Sequence, residues 1–264
     1  MPVHGFLGRA LVELVLIGGL CGALGVQVVL RRLAFGAELV GHAAFPGVVA
    51  ASVGGVDPRL GALAGAATAT ALPTGRRPAL TGVAISAGLA LGVLLISARP
   101  GFSRDLSALI AGSPLTVTRT DLEVAAGVAA TVSVLLLALH KELLLGAFDP
   151  EAIAAQGYPR AALDLTVRAA IALTVVTALP AVGVLLPLAL LAGPAGAAVL
   201  WIRRVGPATV VAAVLGAVCG ASGLWASTRW HLATAATVAV LSGGLFLLAA
   251  ATSAAARRLS DPNR

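Results

Sequence analysis

Glu38 and His42 stand four residues apart in the stretch Phe35-Gly-Ala-Glu-Leu-Val-Gly-His-Ala-Ala-Phe-Pro-Gly47. Residues at that spacing share one face of a helix, so a carboxylate oxygen and an imidazole nitrogen converge. The pair suits manganese, zinc or ferrous iron, and it lacks the thiolates that favour copper(I). Both residues stand at or within an apolar segment long enough for a membrane, where ionisable groups are costly and mark ion or substrate paths. The spacing alone is equally compatible with a Glu–His hydrogen bond that pins two helices. Pro46 has no N–H to return to the carbonyl four residues earlier, which belongs to His42. The expectation is a kink or hinge at Pro46, with that carbonyl free to face an ion or a water.

A second stretch, Phe148-Asp-Pro-Glu-Ala-Ile-Ala-Ala-Gln-Gly-Tyr-Pro159, is punctuated at both ends. Asp149 is a good N-cap and Pro150 fits the first helical position. Gly157 ends a helix and Pro159 prevents its resumption. The pattern predicts a helix of about two turns over 149–156, inside a loop of about 146–160. Ala152, Ile153, Ala154 and Ala155 give it a small apolar surface, with Glu151 and Gln156 at the rim. A helix seated on lipid brings Lys or Arg and a large aromatic face. This one has neither, so a protein partner competes with a plain interfacial turn.

The elements that must position these residues are read from composition. The 264 residues are 59% hydrophobic and 11% charged, against about 25% charged in a soluble domain. Charge-free runs extend over Leu14 to Leu30, Leu39 to Val56, Leu60 to Gly75, Pro78 to Ala98, Val124 to Leu139, Ala169 to Ile202, Val205 to Thr228 and Leu232 to Ala256. About 20 residues cross the roughly 30 Å hydrocarbon layer. The Ala169 to Ile202 run is too long for one crossing, and Pro180, Pro187 and Gly193-Pro194 break it. The fold class is therefore an all-α polytopic membrane bundle, a single domain over 1–264, with eight or nine spans and a broken helix around 180–194. The alternation of a membrane barrel is absent. Gly18-Gly19, Gly54-Gly55 and Gly243-Gly244 are expected to be helix packing points. Cys21 and Cys219 read as packed thiols rather than a disulfide or metal site.

Charge sets the expected topology. With the 146–160 loop taken as cytoplasmic, Arg31, Arg32, Arg76, Arg77, Lys141, Arg160, Arg168, Arg203, Arg204, Arg257, Arg258 and Arg264 fall inside. Arg9, Arg59, Arg99, Arg104, Arg119 and Arg229 fall outside, as the positive-inside rule requires. The N-terminus is then external and the tail 257–264 cytoplasmic. The net charge of +7 is a topology signal with some attraction to anionic lipid. It is no nucleic-acid footprint, because no basic stripe or aromatic platform accompanies it. The first apolar segment, with Arg9 and Glu13 and no basic start, does not read as a cleavable signal. No G-x-x-x-x-G-K-[ST] occurs and Lys141 is the only lysine, so the chain builds no P-loop. Energy must come from a separate ATPase or an ion gradient. A membrane-embedded enzyme is disfavoured, since HExxH, G-x-S-x-G and paired intramembrane aspartates are missing.

On these two stretches the chain resembles the membrane permeases of ABC importers for manganese, zinc and iron. The family's Gly-Asp-Ala-Leu-Ser-His-Ala-Val-Leu-Pro-Gly aligns with Ala37 to Gly47, and its Ser-Phe-Asp-Glu/Pro…Ala-Leu/Met-Gly with Ala147 to Gly157. Similarity also covers Val28 to Arg32, Lys141 to Leu145, Val182 to Leu186 with Ala189 to Leu191, Pro194-Ala195 and His231 to Ala233. The family's Asp is Glu38 here, its Ser is Gly41, its membrane Gln lies near Pro180 and its Thr before the late proline is Gly193. The resemblance implies a permease in a multi-pass bacterial plasma-membrane importer of a divalent metal, with no permanently bound cofactor. Its partners would be a cytoplasmic ATP-binding subunit, an extracellular metal-binding protein and a second permease copy or sister chain. ATP would act on the partner subunit. Glu38 and His42 would be the transient metal site, Pro46 the hinge, and Asp149, Pro150, Glu151, Ala154, Ala155 and Gly157 part of a coupling helix. An ABC permease for a chelated or organic cargo such as a siderophore or vitamin, or a proton-coupled secondary transporter, are the rival readings.

Overall fold

Three helices start at polar side chains that satisfy orphan backbone donors. Asp57 accepts from the Arg59 amide at 2.9 Å, Thr118 and Asp121 form a reciprocal capping box, and Asp149 caps the short helix discussed below. In the computed structural model, residues 3–72, 78–97, 117–183 and 186–260 are described. In chain order, α1 covers Val3–Leu30, α2 Ala34–Gly54, α3 Pro58–Ala71, α4 Pro78–Ser97, α5 Arg119–Ala138 and α6 His140–Phe148. Then follow α7 Pro150–Ala155, α8 Arg160–Val182, α9 Leu186–Trp201, α10 Val205–Trp230 and α11 Thr234–Ser260. There is no strand among the described residues.

Seven of these helices (α1, α2, α4, α5, α8, α10 and α11) are long and apolar enough to cross a membrane. Two further apolar helices among the described residues, α3 and α9, are shorter than these seven. The run from Leu60 gives α3 only 14 residues, about 21 Å at 1.5 Å per residue, short of the roughly 30 Å layer. The α9 helix is apolar but has 16 residues. The break in the long run falls after Gly183, whose φ is +71°, and before Leu186. Pro180 and Pro194 sit inside α8 and α9 instead of interrupting them. Arg76, Arg77, Arg99, Arg104 and Arg264 of the topology count lie outside the described residues.

Small residues set the helix spacing. The α1 helix packs on α9 and α10, α2 on α3 and α4, and α9 on α11. At the α1–α10 crossing a Cβ on Gly18 would strike the Gly216 carbonyl, and one on Gly216 would strike that of Gly18. Gly47 of α2 and Gly61 of α3 repeat the arrangement. Close backbone approach of this kind drives helix association where lipid removes the hydrophobic incentive. The other glycines expected at packing points act differently. Gly55 caps α2 in the left-handed conformation at φ +72°, while Gly243 and Gly244 have open space where a Cβ would stand. Cys21 and Cys219 are buried and unpaired with each other. Leu14, Leu24, Leu39, Leu190 and Leu224 are core residues. On the outer faces Val83, Leu94, Val134 and Leu137 are 65–77% exposed, as suits contact with lipid or another chain.

Candidate functional site

The α2 helix carries the pair singled out by spacing. Glu38 lies in its second turn and His42 in its third. Their Oε1 and Nε2 atoms are 3.9 Å apart, with the His42 side chain 7% and the Glu38 side chain 33% exposed. That separation is too long for a hydrogen bond, so the two groups face one another without closing on one another. The imidazole Nδ1 is buried and has no partner among the described residues. A buried donor or acceptor left unmade costs about 1–3 kcal/mol. His42 therefore turns Nε2 toward Glu38 and leaves Nδ1 without a partner among the described residues.

The surroundings come from the broken run. Ala37, Glu38, Gly41 and His42 of α2 line a cavity of about 30 Å³ with Val175 of α8 and with Pro187 and Leu188 at the start of α9. The C-terminal half of α8 and the start of α9 thus both stand beside the Glu38–His42 cavity. One turn further along α2, Phe45 and Val48 line a larger cavity of about 170 Å³ together with Pro58, Arg59, Val176 and Pro180. Pro46 does not interrupt α2, which is helical on both sides of it. The His42 carbonyl, which loses its helical donor to Pro46, lies against Gly88 of α4; a Cβ there would come within 2.9 Å of the oxygen. So the freed carbonyl is directed at α4, while the cavity that holds Glu38 and His42 is lined by α8 and α9.

With metal–ligand bonds of about 2.1 Å, a shared tetrahedral ion sets two donors about 3.4 Å apart. Closing the 3.9 Å gap by about 0.5 Å is a side-chain rotation, not a rearrangement. The described residues hold no group of three or more His, Cys, Asp or Glu that could surround an ion.

The second expected element is also a helix. Asp149 Oδ1 accepts from the amides of Glu151 at 3.2 Å and Ala152 at 2.9 Å, and Gly157 takes φ +81°. The helix α7 has six residues, about 9 Å, and a further bond from the Gln156 amide to the Ala152 carbonyl at 3.1 Å extends the turn. Glu151, Ala155 and Gln156 are exposed. Ile153 departs from the expectation of an outward apolar surface. It is fully buried, against α6 beside Gly146, so it seats α7 on its own chain.

Several charged contacts have no signature in local spacing. Arg31, counted only as a topology signal, donates to Asp164 at 2.7 Å. Arg59 pairs with Asp121 across α3 and α5. Glu13 is fully buried with neither carboxylate oxygen hydrogen-bonded to a described residue, within electrostatic reach of Asp121 and Arg59. A carboxylate in an apolar run is the one signal that pointed to Glu13.

Comparison with known proteins agrees with this architecture. A profile described as the ABC 3 transport family matches residues 3–253. The chain is 31% identical over 253 residues, 93% of its own length and 87% of the other, to the manganese transport system membrane protein MntC of Halalkalibacterium halodurans. It is 27% identical over 252 residues, 92% of its length and 84% of the other, to the chelated iron transport system membrane protein YfeD of Yersinia pestis. Among solved structures, PsaBC from Streptococcus pneumoniae in complex with Fab superposes with a TM-score of 0.84 at 28% identity, covering 92% of this chain and 90% of that one. With residues 3–253 matched by one profile and the fold shared with a solved relative, the chain belongs to the ABC 3 transport family.

Proposed function

We propose that the chain is the permease subunit of an ATP-binding-cassette importer that moves a divalent transition metal through the membrane, with Glu38 and His42 as the donors the ion meets in transit. The observation that carries the reading is the pair itself, a buried His42 and a partly exposed Glu38: Oε1 and Nε2 3.9 Å apart, lining one cavity, with Nδ1 unpartnered among the described residues. The names of the relatives, manganese in one and chelated iron in another, support a divalent metal, and the donor set serves manganese, zinc or ferrous iron alike.

The division of labour follows from what the chain contains. Two donors per chain fall short of the four or more that these ions take. A second permease copy, placing its own Glu38 and His42 across the pathway, supplies the remainder. The extracellular metal-binding protein delivers the ion from the side of Arg59, where the larger cavity lies one turn along α2. Glu38 and His42 hold the ion, Pro46 acts as the hinge, and the α6–α7 hairpin meets a cytoplasmic ATP-binding subunit. In that contact Glu151 and Ala155 face the partner while Asp149, Pro150, Ala154 and Gly157 shape the helix. The tail 257–264 is cytoplasmic on the same reading, and the chain itself turns over no ATP. Total metal content of cells lacking and regaining the chain, measured across manganese, iron and zinc, tests the proposal. Restoration of one divalent metal is expected; no change in any of the three would overturn it.

A further inference from the structure

Arg31 is the last polar residue before the elbow that joins α1 to α2. It is nearly buried, its side chain 8% exposed, and its guanidinium reaches three elements at once. It donates to Asp164 of α8 at 2.7 Å, to the Leu143 carbonyl of α6 at 3.0 Å and, through Nε, to Gln27 of α1 at 3.4 Å. A planar fork of five donors is the one side chain that makes such divergent contacts from a fixed position.

What lies on either side of this fork gives it meaning. Toward the coupling hairpin, Gly146 stands one turn from Leu143 on α6. A Cβ at Gly146 would come 3.3 Å from Arg31 Nη2 and 3.4 Å from Ile153 Cδ1. The buried Ile153 anchor of α7 and the Arg31 guanidinium therefore press on the same patch of α6. Toward the cavity, Arg31 is followed by Arg32 at φ +56° and, after Leu33, by α2, whose Glu38 lies seven residues on from Arg31. Asp164 opens α8, whose Val175 lines the same cavity as Glu38 and His42.

We infer that Arg31 is the joint through which displacement of the α6–α7 hairpin is passed to α2 and α8, the helices that bear the cavity around Glu38 and His42. This rests on the proposed permease function and adds the residue that couples its two ends. A push on α7 moves Ile153 and α6 together, since the contact is packed. The Leu143 carbonyl moves with α6 and pulls the guanidinium, and the guanidinium carries both the start of α2 and Asp164. Arg31 touches no ion on this account; it is a positioning residue, and its loss uncouples rather than inactivates.

The test uses the full transporter with its ATPase in proteoliposomes, comparing the parent with Arg31→Gln and Asp164→Asn. The second variant keeps an acceptor oxygen at a partly exposed position and is the milder of the two for folding. Two readouts are taken: Mn²⁺ ions delivered per ATP hydrolysed, and the effect of ATP on N-ethylmaleimide labelling of a Val53→Cys reporter at the far end of α2. Both variants are expected to keep ATP hydrolysis within about twofold while ions per ATP fall at least tenfold and the ATP-dependent change in labelling disappears. Unchanged ions per ATP in either variant would overturn the joint, as would ATP hydrolysis lost in step with uptake. The labelling readout involves no cargo. If the parent moves no metal yet shows ATP-dependent labelling that both variants lose, the joint stands and the metal reading falls.

Discussion

Removing the cap of α7 has a cost that can be worked from its geometry. The helix has six residues, far below the roughly 12–15 at which an isolated helix is even marginal, so it depends on its ends and on Ile153. Asp149 Oδ1 satisfies two of its orphan amides, those of Glu151 and Ala152. Asp149→Ala leaves both to water, at a cost of about 1 kcal/mol within a range of about 0.5–2. Since about 1.4 kcal/mol is tenfold in an equilibrium, the equilibrium constant for fraying of α7 rises about fivefold. If α7 is the docking element, metal uptake and retention of the ATP-binding subunit in detergent should fall, by at most about fivefold, as the docking-competent fraction falls. Asp149→Asn preserves the acceptor and should stay near the parent. Unchanged binding and uptake in Asp149→Ala would refute the docking role. Equal damage in both variants would show that the charge matters and the cap does not.

Two other outcomes follow from the packing. Gly18→Val places a side chain against the Gly216 carbonyl, and overpacking of this kind costs about 1–3 kcal/mol. A lowered melting temperature in detergent, with Gly8→Val unaffected because Gly8 has open space, checks it. Pro46→Ala restores an amide for the His42 carbonyl in a helix that already runs through this position. Membrane insertion by protease protection should be unchanged while the transport rate shifts, and an unchanged rate would deny Pro46 a hinge role.

The parts of the fold that were legible in the sequence are those fixed by local chemistry. Apolar runs located the spans, and Asp149, Pro150 and Gly157 marked the ends of α7 because capping involves neighbours within a turn. Glu38 and His42 were found because four-residue spacing on a helix places them together. The break in the long run was foreseen around 180–194, and α8 ends at Gly183 within that interval, but the prolines at 180 and 194 do not make it: both are absorbed into α8 and α9. What stayed hidden depends on tertiary placement. Nothing near Arg31 announces Asp164, more than a hundred residues away, and nothing near His42 announces that Gly88 covers its carbonyl. The glycine pairs show the same limit. Gly18 meets Gly216 across the α1–α10 crossing, whereas Gly243 faces open space, and composition does not separate the two.

The central claim is that the Glu38–His42 pair handles the transported ion. Uptake of radiolabelled Mn²⁺ into proteoliposomes by the parent and by His42→Ala, with ATP hydrolysis measured in the same vesicles, tests it most directly. Substituting His42 removes the imidazole, half of the donor pair in the chain, so the account predicts that uptake is lost, well beyond tenfold, while the subunit still assembles and its partner still hydrolyses ATP. Normal Mn²⁺ uptake by His42→Ala would contradict it.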